Sequence, residues 1–205
     1  MPQVTAVKLQ KNKKRANVYL DGKFGFGIDL ENLLKLKIKE GQYINESEIE
    51  KIVGISESQK IWDRLLRFVS TRPKSEKEVR DWFLRKKVTG SLADKYLRRL
   101  KRLDFIDDLK FALWWIEQRL SFRPKPRRII EQELKVKGLK KEIIDKAFSS
   151  FQIDEYGQAK AVFEKNKLRW KNLPPDKFRI KASGFLLRRG YSWEVVKKVL
   201  SLEEE

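Results

Sequence analysis

The sequence predicts a mainly α protein, a tandem array of three three-helix repeats preceded by a small N-terminal region with a β-hairpin and short helices. Three observations carry this. A set of apolar positions recurs with a period near fifty residues, the signature of stacked copies of one supersecondary unit. Turn and capping residues recur at matching places in each period. Only the first 30 residues show the two-residue alternation of strands.

The repeat is read from three anchors, Val88, Leu139 and Tyr191, which are 51 and 52 residues apart. At +4, +5, +8 and +9 stand Leu92, Ala93, Tyr96 and Leu97 in the first copy. The same offsets give Ile143, Ile144, Ala147 and Phe148 in the second, and Val195, Val196, Val199 and Leu200 in the third. Behind the anchors, −5 holds Phe83, Leu134 and Leu186, and −9 holds Val79, Ile130 and Ala182. The expected division is residues 1–54, then repeats at 55–104, 105–152 and 153–205.

Taken in order, Val4, Ala6 and Leu9 are apolar among polar neighbours. Val18 and Leu20 lead into Asp21-Gly22, and Phe24, Phe26 and Ile28 alternate after it. An Asp-Gly pair between alternating runs marks a hairpin, because both residues tolerate positive φ. Asp29 is placed to cap a short helix, and Ser47 with Glu50 reads as the capping box of a second. From about residue 57 the chain reads as helical throughout, with Ile61, Leu65, Phe68 and Val69 on one face. Ser75 with Glu78 reads as another capping box, ahead of a buried stripe of Val79, Trp82 and Phe83. Thr89-Gly90 ends that helix and Ser91 starts the next. In the second repeat, Asp107 or Asp108 caps the helix carrying Phe111, Ala112, Trp115 and Ile116. Pro126 suits a first helical turn and Gly138 a C′ position. In the third, Ala159, Val162 and Phe163 form a stripe, Pro174-Pro175 breaks the chain, Gly190 takes the place of Gly138, and Ser192 caps the last helix.

Composition narrows the function. The 48 Lys and Arg against 29 Asp and Glu give a net charge of +19, which predicts a polyanionic partner, nucleic acid foremost. Residues 1–54 hold only +3 of this, so the polyanion surface is expected on the repeats. With no Cys there is no disulfide or thiol chemistry, and with no His the commonest metal ligand and general base are missing. No apolar run is long enough to cross a bilayer, and the N-terminus lacks a signal-peptide stretch. The expectation is a cytoplasmic protein with no cofactor and no metal, and not an enzyme.

Few residues suggest chemistry. Asp104, Asp107 and Asp108 form the densest acidic cluster. A metal-dependent nuclease would gather carboxylates in this way, but helix capping accounts for Asp107 and Asp108 without metal. Among the six tryptophans, Trp82 and Trp115 fall on apolar faces and read as core, and Trp114 and Trp170 are the candidates for stacking on unpaired bases. Basic clusters Arg85-Lys86-Lys87, Lys135-Val136-Lys137 and Arg188-Arg189 close the second helices. Cations there complement the helix dipole, but three registered clusters in a basic array point to a shared anionic surface.

Four segments then become recognisable in order: RPKSEKEVRDWFLRKKV, LKRLDFIDDLKFA, PRRIIEQELKVKGLKKEIIDKAF and FLLRRGYSWEVVKKVL. From about residue 57 to the C-terminus they resemble the RecX family, and the N-terminal hairpin region is similar to an extension found in some members. The family's Asp-Asp-x-x-Phe-Ala falls on Asp107, Asp108, Phe111 and Ala112. Its Ile-x-x-Glu-Leu-x-x-Lys-Gly falls on Ile130, Glu133, Leu134, Lys137 and Gly138, and its Arg-Gly-aromatic on Arg189, Gly190 and Tyr191. Most of these read as caps, core and C′ glycines. The chain departs from the pattern at Lys125, where members often carry Gly.

The resemblance implies tandem three-helix repeats and a non-enzymatic modulator of the RecA recombinase in recombination, DNA repair and the SOS response. Such a protein binds in the groove of the RecA–single-stranded DNA filament, usually inhibits it, and binds single-stranded and double-stranded DNA itself. A monomer with no membrane partner is expected. The candidate nucleic-acid or RecA contacts are Arg72, Lys74, Arg85, Lys86, Lys87, Arg98, Arg99, Arg102, Arg123, Lys125, Arg127, Arg128, Lys135, Lys137, Arg188 and Arg189. The alternative is a stand-alone regulator that reads duplex DNA with a helix-turn-helix-like pair, which would show sequence-dependent affinity. A magnesium-dependent nuclease stands third.

Overall fold

The structure, a computed structural model, describes residues 1–11 and 13–201, so the acidic Glu203, Glu204 and Glu205 lie outside the described residues. The chain divides into two compact units, Met1–Thr71 and Arg72–Glu205.

In the first unit, β1 (Val4–Leu9), β2 (Arg15–Leu20) and β3 (Lys23–Asp29) form an antiparallel sheet in that order. Asp21 and Gly22 turn the β2–β3 hairpin at φ 48° and 78°, the positive angles that a tight two-residue hairpin loop demands. Alternation buries Val4, Val18, Phe26 and Ile28 against Ile38, Ile44 and Ile52. Phe24 shares the parity of Phe26, yet it is exposed. The register shifts between Val18 and Tyr19, setting Phe24 opposite Tyr19, and a bulge of this kind reverses which side the next residue faces.

Asp29 caps α1 (Leu30–Lys35), accepting from the Asn32 N–H at 2.9 Å. Next comes α2 (Glu46–Ser70), a single helix of 25 residues. Its capping box is Asn45 with Glu48, two residues before the Ser47–Glu50 pair that the sequence suggests. The Asn45 side chain accepts from the Glu48 N–H at 2.8 Å, and the Glu48 carboxylate accepts from the Asn45 N–H at 3.0 Å. The helix also runs through position 54, where the sequence reading places the end of the N-terminal region. A helical Gly costs about 1 kcal/mol relative to Ala. Ile52 in the core and Ser56, hydrogen-bonded to the Gly27 carbonyl, hold the helix on both sides of Gly54.

In the second unit come α3 (Glu76–Arg85), α4 (Gly90–Arg102), α5 (Asp108–Phe122), α6 (Arg127–Val136), α7 (Lys141–Phe148), α8 (Glu155–Lys167), α9 (Pro175–Arg188) and α10 (Trp193–Ser201). Helices α5–α7 enclose a core of Phe111, Ile116, Ile130, Leu134, Ile144 and Phe148. Helices α8–α10 enclose Phe163, Ala182, Leu186, Tyr191, Val196 and Val199. The equivalent pair α3 and α4 buries Val79, Trp82, Phe83, Tyr96, Leu97 and Leu100. The +4 positions Leu92, Ile143 and Val195 lie at the half-buried edge.

The backbone explains why the anchor and its −5 partner are both apolar. The Val88 N–H donates to the Phe83 carbonyl at 2.9 Å, Leu139 to Leu134 at 3.2 Å, and Tyr191 to Leu186 at 3.3 Å. Each is the long bond of a Schellman motif, which brings the residue after the turn against the helix it leaves. The residue immediately before the anchor must be left-handed. Gly138 and Gly190 supply φ 86° and 94°, whereas the first copy uses Lys87 at φ 54°.

The modules are joined by a repeated contact. Asp107 caps its own helix, accepting from the Leu109 and Lys110 N–H groups at 2.8 and 3.0 Å. Asp108 reaches the preceding module and accepts from the Glu76 N–H, the first of α3, at 2.8 Å. One module later, Asp154 caps α8 through the Gly157 N–H, and Glu155 accepts from the Arg127 N–H, the first of α6, at 2.8 Å. The C′ glycines close on the same turns. A Cβ on Gly138 would stand 2.6 Å from the Lys77 Cβ, and one on Gly190 would stand 2.2 Å from the Ile129 Cγ1.

Two measurements of urea unfolding follow from these features. Gly54→Ala is expected to raise stability by up to about 1 kcal/mol, because a Cβ there meets nothing within 4 Å. Asp108→Ala and Glu155→Ala should each cost about 1 kcal/mol, the worth of one helix cap. Similar losses for the pair would establish that the two joints work alike.

Candidate nucleic-acid interface

A helix C-terminus leaves carbonyls unsatisfied and carries partial negative charge, so cations gather there. The Schellman turns place Arg85-Lys86-Lys87, Lys135-Val136-Lys137 and Arg188-Arg189 at three such ends. The structure then divides the sixteen candidate cations by what they touch.

Five are engaged internally. Arg72 makes a two-pronged contact with the Glu78 carboxylate, both hydrogen bonds at 2.9 Å, and lies 5.6 Å over the Trp114 ring. Lys137, from the next module, donates to the same carboxylate at 2.6 Å and lies 5.1 Å from the Trp115 ring. Glu78 is therefore drawn to cations, and the Ser75 cap accepts from the Glu78 N–H at 3.2 Å without the return half of a capping box. Ser75 instead donates from its hydroxyl to the Lys137 carbonyl at 2.8 Å. Lys125 pairs with Glu133, which also accepts from Arg119 at 2.6 Å and from the Trp115 indole at 2.8 Å. Arg127 pairs with Glu131 at 2.7 Å and stacks over Phe148. Lys74 is buried at 5% exposure, and burial pushes its ammonium down.

Burial favours a neutral Glu78, but the hydrogen bonds from Arg72 and Lys137 overcome it and hold the carboxyl at about 2. Glu133 is likewise lowered, with the bonds from Lys125, Arg119 and Trp115 outweighing burial. Asp108 is raised, chiefly by burial.

The other candidates face solvent. Arg85, Lys86, Lys87, Arg98, Arg102, Arg123, Arg128, Lys135 and Arg188 are exposed and form no ion pair among the described residues, and Arg99 is exposed beside them. Arg189 is exposed and stacks its guanidinium 4.4 Å from the Phe185 ring. Where the second and third three-helix modules meet, Arg123, Lys125, Arg188 and Arg189 surround a cavity of about 470 Å³ walled by Pro124, Ile129 and Val162. Three outward guanidinium groups over an apolar floor suit a phosphate oxygen or a partner carboxylate.

The aromatic candidates resolve differently from expectation. Trp114 is half-buried against Phe111 and Trp115, and Trp170 packs edge-on against Phe185 at 5.1 Å. Trp115 is half-buried, and Trp82 is core as expected. The exposed indole is Trp193, which opens α10 with 60% of its surface in solvent. Asp104 pairs with Lys110, so each member of the acidic cluster has a partner or a cap. Among the described residues no helix is long and apolar enough to cross a membrane.

Comparison with known proteins places this arrangement. Residues 2–45 match the family model of the regulatory protein RecX N-terminal domain. Residues 107–147 match the second RecX three-helix domain, and residues 153–200 match the third. Regulatory protein RecX of Listeria welshimeri is 32% identical over 98% of this chain and 75% of its own length. That of Bacillus licheniformis is 31% identical over 98% of this chain and 77% of its own. A crystal structure of regulatory protein RecX covers 98% of this chain and 100% of its own, with a TM-score of 0.69 at 24% identity. One from Lactobacillus salivarius covers 70% and 94%, with a TM-score of 0.60 at 19% identity.

The Glu78 hub gives a pH signature. Its carboxyl titrates near 2 when folded and near 4.5 when unfolded, so its stabilisation is complete above 4.5 and lost as pH falls towards 2. Glu78→Gln should lower stability at pH 7 by roughly 2 kcal/mol and narrow the gap to wild type as the pH approaches 2. Urea midpoints at pH 7, 4 and 2 check this, and a gap that does not change with pH would show that the hub is not ionic.

Proposed function

The chain belongs to the RecX family of regulatory proteins, and from that premise we propose that it binds the RecA–single-stranded DNA filament and restrains the recombinase. It does so without catalysis of its own, lowering RecA ATP hydrolysis, strand exchange and co-protease activity in recombination, repair and the SOS response. It acts as a cytoplasmic monomer. The observation that carries the reading is the register of the outward cations. They recur with the period of the modules, at the C-terminal ends of α3, α6 and α9. A filament is itself a repeating partner, and a periodic cationic surface matches a periodic anionic one.

The division of the cations gives them distinct work. Arg72 and Lys137 meet at Glu78 and tie the first module to the second, Lys125 and Arg127 pair within the second, and Lys74 is buried. Arg85, Lys86, Lys87, Arg98, Arg99, Arg102, Arg123, Arg128, Lys135, Arg188 and Arg189 meet DNA phosphates or acidic recombinase surface. Phosphate contacts release counterions, so DNA affinity falls with salt and ignores base sequence.

Titrating the protein into RecA hydrolysing ATP on single-stranded DNA tests this. Inhibition should appear well below one molecule per recombinase subunit, and Arg188→Glu/Arg189→Glu should need about tenfold more protein, a change of about 1.4 kcal/mol. No inhibition by the folded protein at excess would refute the reading. A strong preference for one duplex sequence would then favour the stand-alone DNA-binding regulator.

A further inference from the structure

The sequence assigns little positive charge to residues 1–54, yet two of its cations meet three from the helix that follows. Lys14 and Arg15 at the start of β2 and Lys60, Arg64 and Arg67 on α2 line a groove of about 630 Å³, whose lining also includes Asp29 and Asp63. The two acids are already engaged. Asp29 caps α1, and Asp63 accepts from Gln59 at 2.8 Å.

The α2 cations stand at i, i+4 and i+7, so they form one stripe about 10 Å long. Like charges at such spacing weaken a helix by a few tenths of a kcal/mol per pair, so this stripe works against the helix that carries it. Lys60 has Glu57 as a partner, while Arg64 and Arg67 are exposed and make no ion pair or hydrogen bond among the described residues. Arg15 is fixed at the groove wall. Its Nη2 donates to the Gly27 carbonyl at 3.0 Å and to the Ser56 hydroxyl at 2.6 Å. Its Nη1 is buried with no acceptor among the described residues, so the wall is one oxygen short.

We propose that this groove binds the phosphodiester backbone of a nucleic-acid strand. A free phosphate is held by donors that converge on one point, whereas these donors run in a line open to solvent, as successive phosphates do. No aromatic side chain lines the groove, so bases are not stacked and sequence is not read. The N-terminal unit thereby carries a contact for DNA of its own, in addition to those of the repeats. The inference rests on the nucleic-acid half of the function proposed above and is independent of the recombinase half.

The test is fluorescence anisotropy of a labelled thirty-nucleotide oligo-dT with the full chain, from 50 to 300 mM salt. Arg64→Glu/Arg67→Glu should weaken binding at least tenfold at 50 mM salt. It should also flatten the slope of log affinity against log salt by about 1.4, since each single-strand phosphate contact contributes about 0.7. A circular-dichroism melt confirms that the variant folds. Unchanged affinity and slope in a folded variant would overturn the proposal. So would a variant that loses only its thermal stabilisation by inorganic pyrophosphate, which would make the groove a small-anion site. If the wild type leaves RecA hydrolysis untouched while the variant still loses oligo-dT, the recombinase reading fails and this one stands.

Discussion

The unsatisfied backbone N–H at the start of α3 and of α6 is the constraint on which the array depends. A helix cannot bond its own first amides, and α6 has no side chain to do so, because Pro126 occupies its cap position. The chain solves this with the next module. Asp108 and Glu155 each stand one residue past the cap of a first helix, and each turns back to the preceding module's second helix. The same short segment thus starts one module and completes the one before it. This is how a stack of small units, each with a limited core, becomes cooperative through nearest-neighbour contacts.

The joint also decides where charge goes. Asp108, Glu155, Glu78 and Glu133 are drawn inward, to amides or to cations that span elements. The acids near the joints are therefore consumed in building the array, and the excess of Lys and Arg is left on the outside. Pairing leaves the net charge of +19 unchanged, but it concentrates that surplus in the Lys and Arg side chains that have no acid beside them. Function on this reading is a by-product of assembly, in which internal neutralisation of the acids leaves a basic exterior in register with the modules.

Most of the repeat was legible in the sequence because one local motif generates it. The Schellman turn sets an apolar residue just after the left-handed one against another four residues before it, and a period of about fifty residues makes three such turns visible together. Asp29 and Ser192 were likewise legible as caps, and Asp107 as one of two neighbouring candidates, since capping is decided within three residues. What escaped was decided by contacts distant in sequence. The division at residue 54 falls inside α2, which packing on both sides of Gly54 carries through as one helix. Glu78 reads as a capping box, but Arg72 and Lys137 compete for its carboxylate. The free cations of the candidate interface could not be separated from the tied ones, because Lys125 and Lys137 differ from Arg123 and Lys135 only in which acid lies across the turn. The stripe of Lys60, Arg64 and Arg67 was present in the sequence at helical spacing and was hidden by the low net charge of the segment before it.

The module joints have one more consequence. Among the described residues, the amides of Glu76 and Arg127 have acceptors only on the following module. Their exchange with deuterium is therefore governed by the parting of two modules, with no need for either helix to unwind. Two single amides, 51 positions apart, act as separate clocks for two hinges, and a partner that stiffens or bends the array would slow or quicken each one on its own.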